Sequence, residues 1–131
     1  MQIELRSNVN MGRKKSDTLG QFEQIVLAAV MSLRDNAYGV TIHAKVSEMA
    51  EKDVNMGAVY VSLERLQEKG FISSSLSDPT PERGGKAKRF FTVERDGALA
   101  LKESVETSQR VAEAFNESWN LGKWRPKRAK G

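Results

Sequence analysis

The apolar residues of this chain recur mostly at helical spacing, with one break where the period shortens to that of strands. Over residues 18–33, Phe22, Ile25, Val26, Ala29, Val30 and Leu33 follow the i, i+3, i+4 rule. Asp17 or Thr18 is placed to cap this helix. It carries the richest apolar stripe in the chain, so it is expected at the centre of the core. Arg34-Asp35-Asn36 reads as a turn, and Tyr38-Gly39 leads into a second helix over 39–51, with Val40, Ile42, Val46, Met49 and Ala50 as its apolar set. The connector Lys52-Asp53-Val54 is short enough to force a steep crossing into the next helix, a helix-turn-helix arrangement.

That third helix spans 55–70, from Asn55 as N-cap to Lys69-Gly70 as a cation and glycine stop. Met56, Val59, Leu63 and Leu66 fall on one side. Gly57, Val61, Glu64 and Glu68 fall opposite, with Ala58, Tyr60 and Arg65 on the flanks. The outer face of its first two turns is therefore small or flat and can press against a flat or grooved partner. Spacing alone also fits an ordinary amphipathic helix with a solvated face. Residues 71–76 read as a strand, and 88–93, centred on Phe90-Phe91, as its returning partner. The turn-rich stretch between them is too long for a tight hairpin and should project as a wing. Its basic edge is RGGKAKR, in which Gly84 and Gly85 let the backbone approach a phosphate while Arg83, Lys86, Lys88 and Arg89 supply attraction. Helix, strand, basic loop, strand is the order in which a winged helix-turn-helix reads DNA.

Residues 96–121 form a long final helix. Leu101, Val105, Ser108, Ala112, Phe115 and Trp119 alternate by four and three, a heptad seam that needs a surface to bury against. It can fold back on its own domain or pair with a second subunit, and pairing is favoured. The expected organisation is a mobile basic arm (1–17), a winged helix-turn-helix domain (18–95), a dimerisation helix (96–121) and a basic disordered tail (122–131). The fold class is mainly α with a small β wing. Met11 reads as a second start, ahead of Gly12-Arg13-Lys14-Lys15.

Composition narrows the function. The chain has 131 residues, 39% of them hydrophobic and 29% charged, which suits one domain with an appended helix. There is no cysteine, so disulfides, thiolate zinc sites and a cysteine nucleophile are excluded. No apolar run approaches the roughly 20 residues of a membrane span, and the N-terminus lacks the build of a signal peptide. A cytoplasmic protein without membrane contact is expected. Net charge is only +4, but it is segregated. Arg6, Arg13, Lys14 and Lys15 face a single acid at the start. Arg83, Lys86, Lys88, Arg89 and Arg95 crowd the wing, and Lys123, Arg125, Lys127, Arg128 and Lys130 end the chain with no acid. The helices between are net acidic. Segregation of this kind suits a polyanion partner better than a uniformly basic surface would, although basic ends also serve solubility.

Several of these stretches resemble the PadR family of bacterial transcriptional regulators in its short form: LGQFEQIVLAAV, AYGVTI, GAVYVSLERLQEKGFI, DPTPERGGKAKRFF and Gly97, covering about 19–101. The resemblance implies a homodimer joined through the C-terminal helix, with Leu101, Val105, Ala112, Phe115 and Trp119 at the contact. It implies binding to double-stranded DNA at a palindromic operator, usually to repress transcription. On that basis residues 55–65 enter the major groove. Gly57, Ala58 and Val61 touch base edges, Tyr60 reaches a phosphate or a base edge, and Asn55 and Arg65 lie alongside. Arg83, Gly84, Lys86, Lys88 and Arg89 clamp phosphates from the wing, and Lys45 adds a contact from the second helix. Affinity should come mostly from cations outside the third helix, which is nearly neutral. One departure is clear: Glu94 stands where the family usually has a threonine cap, which shifts the expected start of the last helix to Asp96. Some relatives bind flat aromatic effectors between their C-terminal helices, and Phe115 with Trp119 would supply such a stacking surface.

Other chemistries are weakly supported. His43 is the sole histidine and has no ligand-like spacing to carboxylates, so no metal site is expected and a half-buried structural role is the plainer account. Nothing places a serine in a nucleophile turn, and no glycine pattern resembles a nucleotide loop. The expectation is a non-enzyme without a cofactor. Two rival functions remain, a winged helix used for protein–protein contact and a DNA binder of low sequence preference led by its basic ends.

Overall fold

The computed structural model describes residues 19–77, 87–122 and 124–127. Its elements are α1 (Gln21–Leu33), a 3-10 turn (Arg34–Asn36), α2 (Gly39–Ala50), α3 (Met56–Glu68), β1 (Ile72–Leu76), β2 (Arg89–Val93) and α4 (Arg95–Asn120). This is the mainly helical fold with a β wing that the periodicity predicts. The N-terminal arm, Arg83, Gly84 and Lys86 lie outside the described residues.

α1 is the central element, touching α2, α3, α4 and β2. Val26, Leu27 and Ala29 have no exposure and Val30 only 1%. Leu27 does not belong to the predicted stripe; it is buried because neighbours cover α1 on more than one side. The helix starts at Gln21 behind Gly20, later than expected, and Asp17 and Thr18 lie outside the described residues. Glu23 stands in for the missing cap. Its Oε1 accepts the Gly20 N–H at 3.2 Å and the Lys69 ammonium at 3.1 Å. Both side chains of that ion pair are largely buried, so it ties the end of α3 to the start of α1.

In α2 the buried set is Gly39, Ile42 and Val46. Val40 and Met49, expected in the core, are 63% and 43% exposed. Ile42 and Val46, one turn apart, occupy the inward stripe, and the two outliers fall beside it. Glu51 turns the chain in the left-handed conformation (φ 57°). His43 and Ser47 then pin the connector: the His43 Nε2–H donates to the Val54 carbonyl at 2.8 Å, and the Val54 N–H donates to Ser47 Oγ at 3.2 Å. The sole histidine thus helps set the crossing of α2 and α3.

α3 is capped as predicted, with Asn55 Oδ1 accepting the Ala58 N–H at 3.2 Å. It ends at Glu68, ahead of the C-cap Lys69, and the chain leaves it through Gly70, whose φ of 80° favours a glycine. Val59, Leu63 and Leu66 are buried against the core, together with Ser62. β1 and β2 pair antiparallel from Ile72↔Val93 to Leu76↔Arg89. The segment before α2 meets the edge of β2 in an isolated bridge: Tyr38 pairs with Phe90, and the Phe91 N–H donates to the Ala37 carbonyl at 2.9 Å. The pleat splits the Phe90-Phe91 pair. Phe91 is buried in the core, while Phe90 meets the Tyr38 ring edge-on at 5.3 Å.

α4 begins at Arg95, not at Asp96, with Glu94 in the N-cap position. The Glu94 side chain does not cap. It accepts the Ser73 hydroxyl at 2.5 Å, while the Glu94 N–H donates to the Phe71 carbonyl at 2.8 Å. Gly97 lies against that same carbonyl, where an added Cβ would overlap the oxygen. Gly97, Ala100 and Leu101 are buried, and beyond Ser104 every described residue of the helix is exposed. Leu101, expected in the dimer seam, belongs instead to the protomer's own core. It sits at the root of the helix, where the domain still reaches it.

In most helices alanine stabilises relative to glycine. Gly97→Ala should instead destabilise by about 2 kcal/mol, because the methyl meets backbone that cannot rotate away. Chemical denaturation of the two proteins reads this difference directly.

Candidate functional site

Most of the predicted contact residues within the described part of the chain gather on one stretch of surface. Gly57, Ala58, Tyr60, Val61 and Arg65 are exposed along α3. Tyr60 and Arg89 line a groove between α3 and β2, about 610 Å³ in volume, with Leu63, Glu64, Gln67, Glu68 and Phe91 completing its walls. Lys45 stands apart on α2, half-buried, with its ammonium 3.8 Å from Glu48.

Each polar side chain has a local reason for its position. The Asn55 amide oxygen is committed to its cap, and a Cβ at Gly57 would come within 2.9 Å of it, so a small residue follows the cap. The Tyr60 hydroxyl lies over Gly39, the first residue of α2, in space that any side chain there would fill. The Lys88 ammonium sits 3.9 Å from the Tyr38 ring centre, a cation–π contact that leaves the charge at the surface. Arg89 Nη1 donates to Ser74 Oγ at 2.9 Å, holding the guanidinium along the sheet.

Tyr38, Gly39 and the exposed Val40 were not anticipated as part of this surface. Tyr38 positions Lys88, Gly39 seats Tyr60, and Val40 follows directly in the chain. The available signal was the Tyr-Gly pair just after a turn, where a bulky aromatic and a missing side chain stand together.

A separate apolar hollow of about 400 Å³ lies near the end of α4, lined by Ala114, Phe115, Ser118, Trp119 and Trp124. Phe115 and Trp119 stack with ring centres 5.7 Å apart, and Trp119 and Trp124 stack at 5.8 Å. Trp124, in the segment expected to be a disordered tail, thus packs against Trp119. Val105, Phe115 and Trp119 of the predicted seam are 42%, 58% and 57% exposed, and Ala112 is exposed beside them. Nearby, the Lys102 ammonium, hydrogen-bonded to Glu106 at 2.7 Å, holds that carboxyl below its ordinary pKa. Among the described residues no cluster of His, Asp or Glu could hold a metal, and no helix is long and apolar enough to cross a membrane.

Two helices joined by a short pinned connector, an exposed and uncharged first half of α3, and a strand pair carrying Lys88 and Arg89 beside it define a winged helix-turn-helix domain of the DNA-binding class. The comparisons narrow the class. The profile described as the transcriptional regulator PadR-like family matches residues 26–103, and the chain belongs to that family. It is a transcriptional regulator and not an enzyme. Among similar solved structures is a PadR family transcription regulator from Clostridium difficile, at 19% identity and TM-score 0.62, covering 75% of this chain and 97% of that one. A PadR-like transcription factor from Bacteroides fragilis has 19% identity and TM-score 0.62, covering 87% and 97%. A PadR-like transcriptional regulator from Bacillus cereus has 21% identity and TM-score 0.61, covering 79% and 92%. At these identities the likeness is one of fold. No protein of curated function matches the chain by sequence.

Asn55 caps α3, and substitutions separate that role from the DNA contact expected of it. Asn55→Ala should cost about 1 kcal/mol of stability through loss of the cap. Asn55→Asp should keep the cap and the stability but weaken DNA binding, because it sets a negative charge at the tip of α3. Thermal melting and DNA anisotropy on the two variants check both halves.

Proposed function

We propose that the protein binds a palindromic operator as a homodimer and represses transcription from it. The observation that carries this reading is the exposed N-terminal half of α3, free of charge from Met56 to Leu63, with Arg89 of the wing lining a groove beside Tyr60 and Lys88 next to it in the chain. Small and flat side chains admit that half to a major groove, and these cations attract the phosphates beside it. The dimer is supported by the part of α4 beyond Ser104. A solvated helix with an apolar stripe gains stability by pairing, and the seam of Val105, Ala112, Phe115 and Trp119 is bare. Two copies joined there would present two α3 helices to successive turns of one duplex. Stacked Phe115 and Trp119 also favour a planar aromatic compound as effector, acting to release the DNA.

The test is fluorescence anisotropy of the purified protein on the DNA just upstream of its own gene and on a scrambled duplex, each at two salt concentrations. Saturable binding that prefers the upstream DNA, with affinity falling steeply in salt, is the expected result. Equal binding to both duplexes would contradict operator recognition in that DNA. No binding to either would move protein–protein contact to the front. Quenching of tryptophan fluorescence by planar aromatic compounds, lost in Trp119→Ala, checks the effector.

A further inference from the structure

We propose that Glu64 and Glu68 are specificity-determining residues: they confine DNA docking to the N-terminal half of α3 and penalise sequences that are not the operator. This rests on the DNA-binding reading above and goes beyond it. Gly57, Val61, Glu64 and Glu68 form a single outward stripe on α3, at spacings of four, three and four. Its first half is uncharged and its second half acidic. At 1.5 Å per residue, Glu64 lies about 10 Å along the axis from Gly57 and Glu68 about 16 Å. A helix laid flush in the groove would bring both carboxylates within a Debye length, about 8 Å in physiological salt, of the phosphates.

Glu64 and Glu68 are both exposed, and among the described residues neither forms an ion pair, nor does Arg65, the exposed cation between them. The cation at the end of the helix, Lys69, is engaged by Glu23. Arg89 lines the same groove as both acids and keeps its charge there, but among the described residues it forms no ion pair with either; its guanidinium is hydrogen-bonded to Ser74. The acids therefore act on whatever approaches the outer face of α3. On the operator, base contacts by the first two turns hold the helix tilted, with its acidic half lifted away. On other DNA no such contacts fix the tilt, and the repulsion lowers affinity. This is a repulsive element that separates right from wrong partners.

The experiment compares wild type, Glu64→Gln/Glu68→Gln and the charge-matched control Asp35→Asn/Glu117→Gln, which alters neither α3 nor the wing. Binding to the upstream and scrambled duplexes is followed by anisotropy across a salt series, with melting curves verifying the fold. The α3 variant should bind the scrambled duplex roughly tenfold more tightly, with a smaller gain on the upstream DNA. Its preference should therefore fall and its salt dependence steepen, while the control keeps the wild-type preference. Equal gains on both duplexes, or none, would overturn the proposal. So would weaker binding to the upstream duplex alone, which would make Glu64 or Glu68 a reader of cytosine amino groups. If wild type bound no DNA, the DNA-binding reading would fall and this proposal with it. Binding without a change of preference would sink only the latter.

Discussion

Val26, Leu27, Ala29 and Val30 are shut off from solvent because α2, α3, α4 and β2 all rest on α1. Burying a valine or leucine side chain contributes about 1.5–3 kcal/mol relative to leaving it in water, so the stripe is the anchor for the elements around it. α3 gives its Val59, Leu63 and Leu66 side to that core, which leaves the opposite side outward. The placement of the surface proposed to face DNA is thus a by-product of packing. A helix committed to the core on one side can present only the other, and here the other side begins with Gly57, Ala58, Tyr60 and Val61.

Precision comes from short polar links more than from the core. His43 and Ser47 pin the α2–α3 connector, Glu23 joins Lys69 at the far end of α3, and Ser73 with Glu94 fixes the start of α4. These links lie between elements and are directional, so they set angles that apolar contact alone would leave loose. The wing follows the same logic. Ser77 and Lys88 exchange backbone and hydroxyl hydrogen bonds at the base of the loop, and Tyr38 and Ser74 hold the two cations that follow. Charge is presented to a partner from rigid seats.

Much of this was legible in the chain, for stated reasons. The helical stripes, the Asn55 cap, the Gly70 stop and the strand pair all depend on local sequence, and the structure has them where the period and cap residues point. What depends on neighbours was not legible. Leu27 is buried only because α1 is surrounded, and Val40 and Met49 are exposed because the inward face of α2 is narrow. Leu101 continues the heptad in sequence, yet the domain still reaches it in space. Glu94 is the poor side-chain cap its identity suggests, yet α4 still starts directly behind it, and Ser73, distant in sequence, engages its carboxylate. Tyr38 and Gly39 took on meaning only once the fold brought Lys88 and Tyr60 to them.

The central claim is that the first two turns of α3 face DNA while its last turns stand off. Because the chain contains no cysteine, one engineered thiol gives a single site for a photoactivatable aryl azide. The most direct measurement is cross-linking from Val61→Cys and from Gln67→Cys to the upstream duplex, under conditions where each labelled protein is bound. Cross-links to major-groove bases from position 61 and none from position 67 are predicted. Equal cross-linking from both positions, or base contacts from 67 alone, would contradict the account.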